Sequence, residues 1–211
     1  MNRSDESATA PLGLGFILAC AMLFIGGQAL GEQPVLANEK LLDVVAKANR
    51  GNRNELRAML HAFKRPGAVQ VSKDALPELV RVLKEDDAEL QLLAAHGLYA
   101  LKSPQTKDAL VQFLGKKDFR KLEKRAHAGE ISERSYESQL RASSLAVMTL
   151  GEIGDKSVIP LLQSLRGFKD LKFEWGGGPV EQALAKLGSE GLNTLYSIGP
   201  DADDEKINKA S

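Results

Sequence analysis

The chain has 211 residues and balances 28 Lys and Arg against 28 Asp and Glu. A formal net charge of zero excludes a global field that would draw the whole molecule to nucleic acid or to an anionic membrane. One cysteine excludes an internal disulfide framework, and an aromatic share of 5 % fits a Leu- and Ala-rich helical array.

Residues 12–30, LGLGFILACAMLFIGGQAL, carry no charge and follow Arg3, Asp5 and Glu6. Val35 and Ala37 supply small residues ahead of a cut after Ala37, which is the outline of a secretory signal peptide. Ala29-Leu30-Gly31 offers an earlier cut. Left uncleaved, about 19 apolar residues reach across a bilayer, so a membrane anchor is the alternative. A lipoprotein reading through Ile17-Leu18-Ala19-Cys20 fits poorly, because the apolar run continues past Cys20. The expectation is a signal peptide or anchor over residues 1–37 and a chain exported to the periplasm or beyond. Cleavage would remove Cys20, so the mature chain would hold no thiol nucleophile.

A helical domain is expected over residues 38–199. Asn38 opens a helix to about Ala48 with Leu41, Leu42 and Val45 at core spacing. The turn Asn49-Arg50-Gly51-Asn52 leads to a second helix with Leu56, Met59, Leu60 and Phe63 inward. Arg65-Pro66-Gly67 ends this pair, which reads as a degenerate capping unit. Residues 72–85 and 87–101 form the next pair. Ser103-Pro104 then opens a helix that ends near Leu114.

A charged insertion, KKDFRKLEKRAHAGEISERSYESQ, follows at about 115–139. It reads as a helix, a turn at Ala128-Gly129, and a helix from Ser132 that continues into the stretch beginning at Leu140. The hairpin is a candidate partner-binding arm through Arg120, Lys124 and Arg125; the bland alternative is a solvated charged face. From Leu140 to Leu165 runs the clearest motif: two amphipathic helices joined at Gly154-Asp155, with Pro160 in the first turn of the second. A second insertion at about 167–179, GFKDLKFEWGGGP, places Phe168, Phe173 and Trp175 close together. Such aromatics anchor interfaces, or else fold back over the core. Three glycines before a helix could offer N–H groups to an anion. The last helix ends at Gly199-Pro200, and residues 200–211 form an acidic tail expected to be disordered.

The pairs repeat. Leu98, Leu150 and Leu184 stand 52 and 34 positions apart, and so do Ala94, Ala146 and Val180. In the partner helices, Leu79, Leu110, Leu162 and Leu195 are separated by 31, 52 and 33. A period of about 31–34 residues with one insertion of roughly 20 is the mark of a repeat array. The stretches ALPELVRVL, AAHGLYAL and RASSLAVMTLGEIGDKSVIPLL resemble the short bacterial HEAT-like repeats of the phycobilisome-lyase type. The resemblance covers Ser72–Leu114 and Leu140–Ile198, and only faintly Asn38–Phe63. It implies an all-α, right-handed, armadillo-like solenoid, and binding in place of catalysis.

Catalytic signatures are missing. His61, His96 and His127 have no metal-ligand spacing, and no G-x-S-x-G, P-loop or G-x-G-x-x-G stretch occurs. No catalytic residue, cofactor or metal is expected. The leading expectation is an exported scaffold that binds a protein or peptide partner and no nucleic acid, using Phe168, Phe173, Trp175, Arg120, Lys124 and Arg125. The alternatives are a bilin lyase-like chaperone or enzyme subunit, and a membrane-tethered envelope assembly factor.

Overall fold

The computed structural model describes residues 35–65, 67–168, 171 and 178–197. Ten α-helices occur among them: α1 (Asn38–Asn49), α2 (Asn54–Phe63), α3 (Leu76–Val82), α4 (Ala88–Leu101), α5 (Lys107–Gly115), α6 (Phe119–His127), α7 (Glu133–Ile153), α8 (Ile159–Leu165), α9 (Pro179–Lys186) and α10 (Ser189–Ser197). The chain is mostly helical, and its neighbouring helices pack together. α2 lies on α4, α4 on α7 and α7 on α9; α1 lies on α3, α5 on α7, and α8 and α10 on α9. This packing is compatible with a helical repeat fold.

Helix ends show the repetition most plainly. Lys102 and Gly154 cap the ends of α4 and α7, and Gly188 follows α9; these three residues lie 52 and 34 positions apart. All three adopt the left-handed conformation, with φ of 47°, 78° and 78°. Glycine enters that region at little cost, whereas Lys102 is held there against its Cβ. The starts of the partner helices repeat too. Short 3₁₀ turns at Lys73–Ala75, Pro104–Thr106 and Lys156–Val158 precede α3, α5 and α8 at offsets of 31 and 52. The third residue of each turn, Ala75, Thr106 or Val158, is at most 2 % exposed. Local caps fix other starts. Asp87 accepts from the N–H groups of Glu89 and Leu90 at the head of α4, Asp118 from Lys121 N–H, and Ser132 from Ser135 N–H.

The core runs through the described residues as one cluster. Leu98, Leu150 and Leu184 are buried, as are Leu79, Leu110 and Leu162. One sequence expectation needs correction. Leu42 is 46 % exposed, and Val44 takes the buried place instead. The inward stripe of α1 is Leu41, Val44, Val45 and Ala48, one face of a 3.6-residue period that leaves Leu42 to the side. The fold is mostly helical, as expected of an all-α chain; beside the helices, Val35–Leu36 (β1) pairs in parallel with Gln70–Val71 (β2). Ser72 N–H donates to Leu36 O at 3.1 Å, and Leu36 is fully buried. The folded domain therefore begins ahead of Asn38.

His96 on α4 stacks on Phe63 of α2, with ring centroids 5.0 Å apart and planes 12° apart. Burial, aided by the Arg141 charge, pushes the imidazole pKa down to about 4. Above the ordinary value near 6.5 the ring is neutral in both the folded and unfolded chain. Below it the unfolded chain takes up a proton that the folded chain refuses, so stability falls with pH until about 4. At about 1.4 kcal/mol per pH unit the loss is on the order of 3 kcal/mol. Urea unfolding near pH 7.5 and near pH 4.5 should show this difference between the wild type and His96→Phe, whose acid slope should be shallower. Equal slopes would show that His96 titrates freely.

Candidate functional site

The charged insertion folds as α6 and the first two turns of α7. Asp118 caps α6, and Phe119 and Leu122 turn inward from an otherwise polar helix, at 4 % and 7 % exposure. Arg120, Lys121, Lys124 and Arg125 stay in solvent, and Arg125 Nε contacts Glu130 Oε2 at 3.3 Å.

Two polar anchors hold the arm. Arg134, at the start of α7, places Nε 2.6 Å from Glu89 Oε1. The Glu89 side chain is only 8 % exposed and also meets Arg53 Nη1 at 2.9 Å and Arg57 Nε at 3.6 Å. Three guanidinium groups thus converge from α2 and α7 on one buried carboxylate at the head of α4. Arg53 makes a two-pronged pair with Asp87 as well. Burial pushes the Asp87 carboxyl up, but the Arg53 pair and two backbone N–H groups outweigh it and hold the pKa below the usual range. The second anchor is Lys117, whose Nζ donates to Gln139 Oε1 of α7 at 3.1 Å and to Gln91 Oε1 of α4 at 2.9 Å.

An arm held this way borders a cleft of about 310 Å³. Its apolar walls are Phe119, Leu140, Phe168 and Leu171, with Tyr136 beside them and Arg120 and Glu123 at the rim. The Phe119 and Phe168 rings lie 4.9 Å apart at an angle of 45°, a tilted aromatic contact. No family model, curated protein or solved structure matches the chain.

Of the residues singled out in the sequence, Arg120 and Phe168 are brought together on this cleft although 48 positions separate them. Lys124 and Arg125 lie on α6 and do not line it. Phe173 and Trp175 fall outside the described residues, as do 12–30 and the tail. Phe119 and Tyr136 were not singled out. Phe119 had a local signal: with Leu122 it forms the apolar i, i+3 pair of a charged helix. Phe168 covers part of the core and also lines the cleft. Among the described residues no group of acidic, histidine or cysteine side chains could hold a metal ion, and no helix is long and apolar enough to cross a membrane.

Proposed function

We propose that the protein is an exported, HEAT-like right-handed solenoid that acts as a scaffold, holding a protein segment in the cleft between α6, α7 and the loop at Phe168. The observation that carries this reading is the convergence of Arg120 and Phe168 on one apolar cleft. Its Phe119 and Leu140 walls suit an apolar anchor residue. The exposed cations Arg120, Lys121 and Lys124 outnumber the neighbouring acids Asp118 and Glu123 and favour acidic residues beside that anchor. The recurrence of left-handed helix stops at repeat spacing supports the solenoid. For export, the cut near Gly31 suits the domain better than the cut after Ala37, since the later one would remove the buried Leu36.

Selection from a random peptide library tests the reading. Peptides with one bulky apolar residue flanked by Asp or Glu should be enriched on the folded protein. Arg120→Glu should weaken the selected peptides about tenfold or more without changing the melting temperature. Enrichment of peptides indifferent to both Arg120→Glu and Phe168→Ala would remove the cleft from the function.

A further inference from the structure

Three bases on α6 stand without an acidic partner. Arg120, Lys121 and Lys124 are exposed, and no carboxylate among the described residues comes within ion-pair distance of them, whereas Arg125 meets Glu130. Arg120 borders the cleft whose apolar walls are Phe119, Leu140, Phe168 and Leu171. Lys124 follows one helical turn further along.

The last described helix ends close to this cleft. α10 stops at Ser197, and its final turn is tied to the end of α8. Gln163 Nε2 donates to Thr194 Oγ1 at 3.2 Å, and Arg166 Nη2 donates to Leu195 O at 3.1 Å. Phe168 stands two residues beyond Arg166, and its N–H donates to Leu165 O at 3.2 Å. One arginine side chain and a two-residue step thus link the end of α10 to a wall of the cleft. Residues 198–211, IGPDADDEKINKAS, follow. They set Asp201, Asp203, Asp204 and Glu205 against Lys206 and Lys209, and Ile207 comes two positions after the last acid.

We propose that this tail docks on the cleft of its own chain, with Ile207 between the apolar walls and the acids along α6, and so competes with the protein partner. The proposal rests on the reading of the cleft as a dock for an apolar anchor beside acidic residues, a composition the tail has. In an extended chain, residues two apart share a side at about 7 Å, so Asp203, Glu205 and Ile207 form one row and Lys206 points away from it. Arg120 and Lys124 are about 6 Å apart along α6, so the two acids of the row meet the two bases while Ile207 enters between Phe119 and Leu140. The tether is long enough. Ile207 lies ten positions after Ser197, a stretch that spans about 33 Å when extended and about 17 Å as a flexible coil. Tethering also decides the competition. A segment on a short linker acts at a millimolar effective concentration, so even a weak tail contact fills the cleft and lowers the apparent affinity of a free peptide.

A benzophenone amino acid in place of Ile207, itself a bulky apolar group, tests this in the full chain by photo-crosslinking and mass mapping. Links should join position 207 to Phe119, Tyr136 or Leu140 within one molecule. Asp203→Lys with Glu205→Lys should cut that yield about fivefold or more, and adding Arg120→Glu with Lys124→Glu should restore it. Ile207→Asp in the full chain should tighten binding of the library-selected peptides about threefold or more. Links scattered over the surface, links only between two molecules, or a yield indifferent to the charge reversals would overturn the proposal. Peptide binding to the cleft that ignores Ile207→Asp would overturn it too, while leaving the cleft as a docking site. Links on the cleft, with no peptide captured even by the Ile207→Asp protein, would keep the tail contact and remove the external partner.

Discussion

A chain beginning at Asn38 should be less stable than one beginning at Val35 by several kcal/mol. The difference rests on three residues. Val35 and Leu36 form the strand that pairs with Gln70–Val71, and Ala37 O accepts the first helical hydrogen bond, from Leu41 N–H at 2.9 Å. Leu36 is fully buried in the core that includes Leu41 and Val44. Its loss strips a complete leucine side chain from a packed site, which costs roughly 2–5 kcal/mol for Leu→Ala alone. Losing the backbone pair leaves Ser72 N–H without its acceptor and adds to that figure. Urea unfolding of the two chains, with Leu36→Ala in the longer one, separates the side chain from the strand. Midpoints that agree within about 0.5 kcal/mol would show that the strand is peripheral and would return the domain boundary to Asn38.

Leu150→Ala should cost roughly 2–5 kcal/mol, towards the upper end. Leu150 is 1 % exposed in α7, the helix that both α4 and α9 pack against. How much such a change costs depends on how far the neighbours can collapse into the space. Here they are held apart by backbone. At Gly151, the next residue, a Cβ would lie 2.6 Å from the Ala183 Cα, so α7 and α9 already touch main chain to side-chain base. With no room left to close, the cavity stays open. Leu42→Ala, at a position 46 % exposed, is the control and should cost under about 0.5 kcal/mol. A Leu150 loss as small as the Leu42 loss would break the register assigned to the repeats.

Both effects bear on how the molecule is read, for Leu150 was legible in the sequence and Leu36 was not. Leu150 recurs with Leu98 and Leu184 at fixed spacing, and a spacing that places each leucine on the inward face of its helix is visible in one dimension. Helix stops were legible for a similar reason. Gly154 and Gly188 mark the left-handed turn locally, although Lys102 makes the same turn without the glycine signal. The hairpin of α6 and α7 announced itself through helix-forming composition, the turn at Ala128-Gly129 and Ser132 at the head of α7; the Asp118 cap was not singled out.

Other features depend on which distant segments meet. Leu36 stands among residues that resemble a cleavage region, and only its pairing with β2, 35 positions later, makes it core. Glu89 is an ordinary first-turn acid by composition; Arg53, Arg57 and Arg134 turn it into the anchor of the arm. Phe119 and Phe168 lie 49 positions apart and form one wall only once α6 folds against the loop after α8. Local energetics such as capping, propensity and the 3.6-residue period act over a few neighbours, so the sequence by itself determined the helices and their repetition. Burial and ion pairing act between segments that the chain brings together late, so only the tertiary structure decided what lines the cleft and where the domain begins.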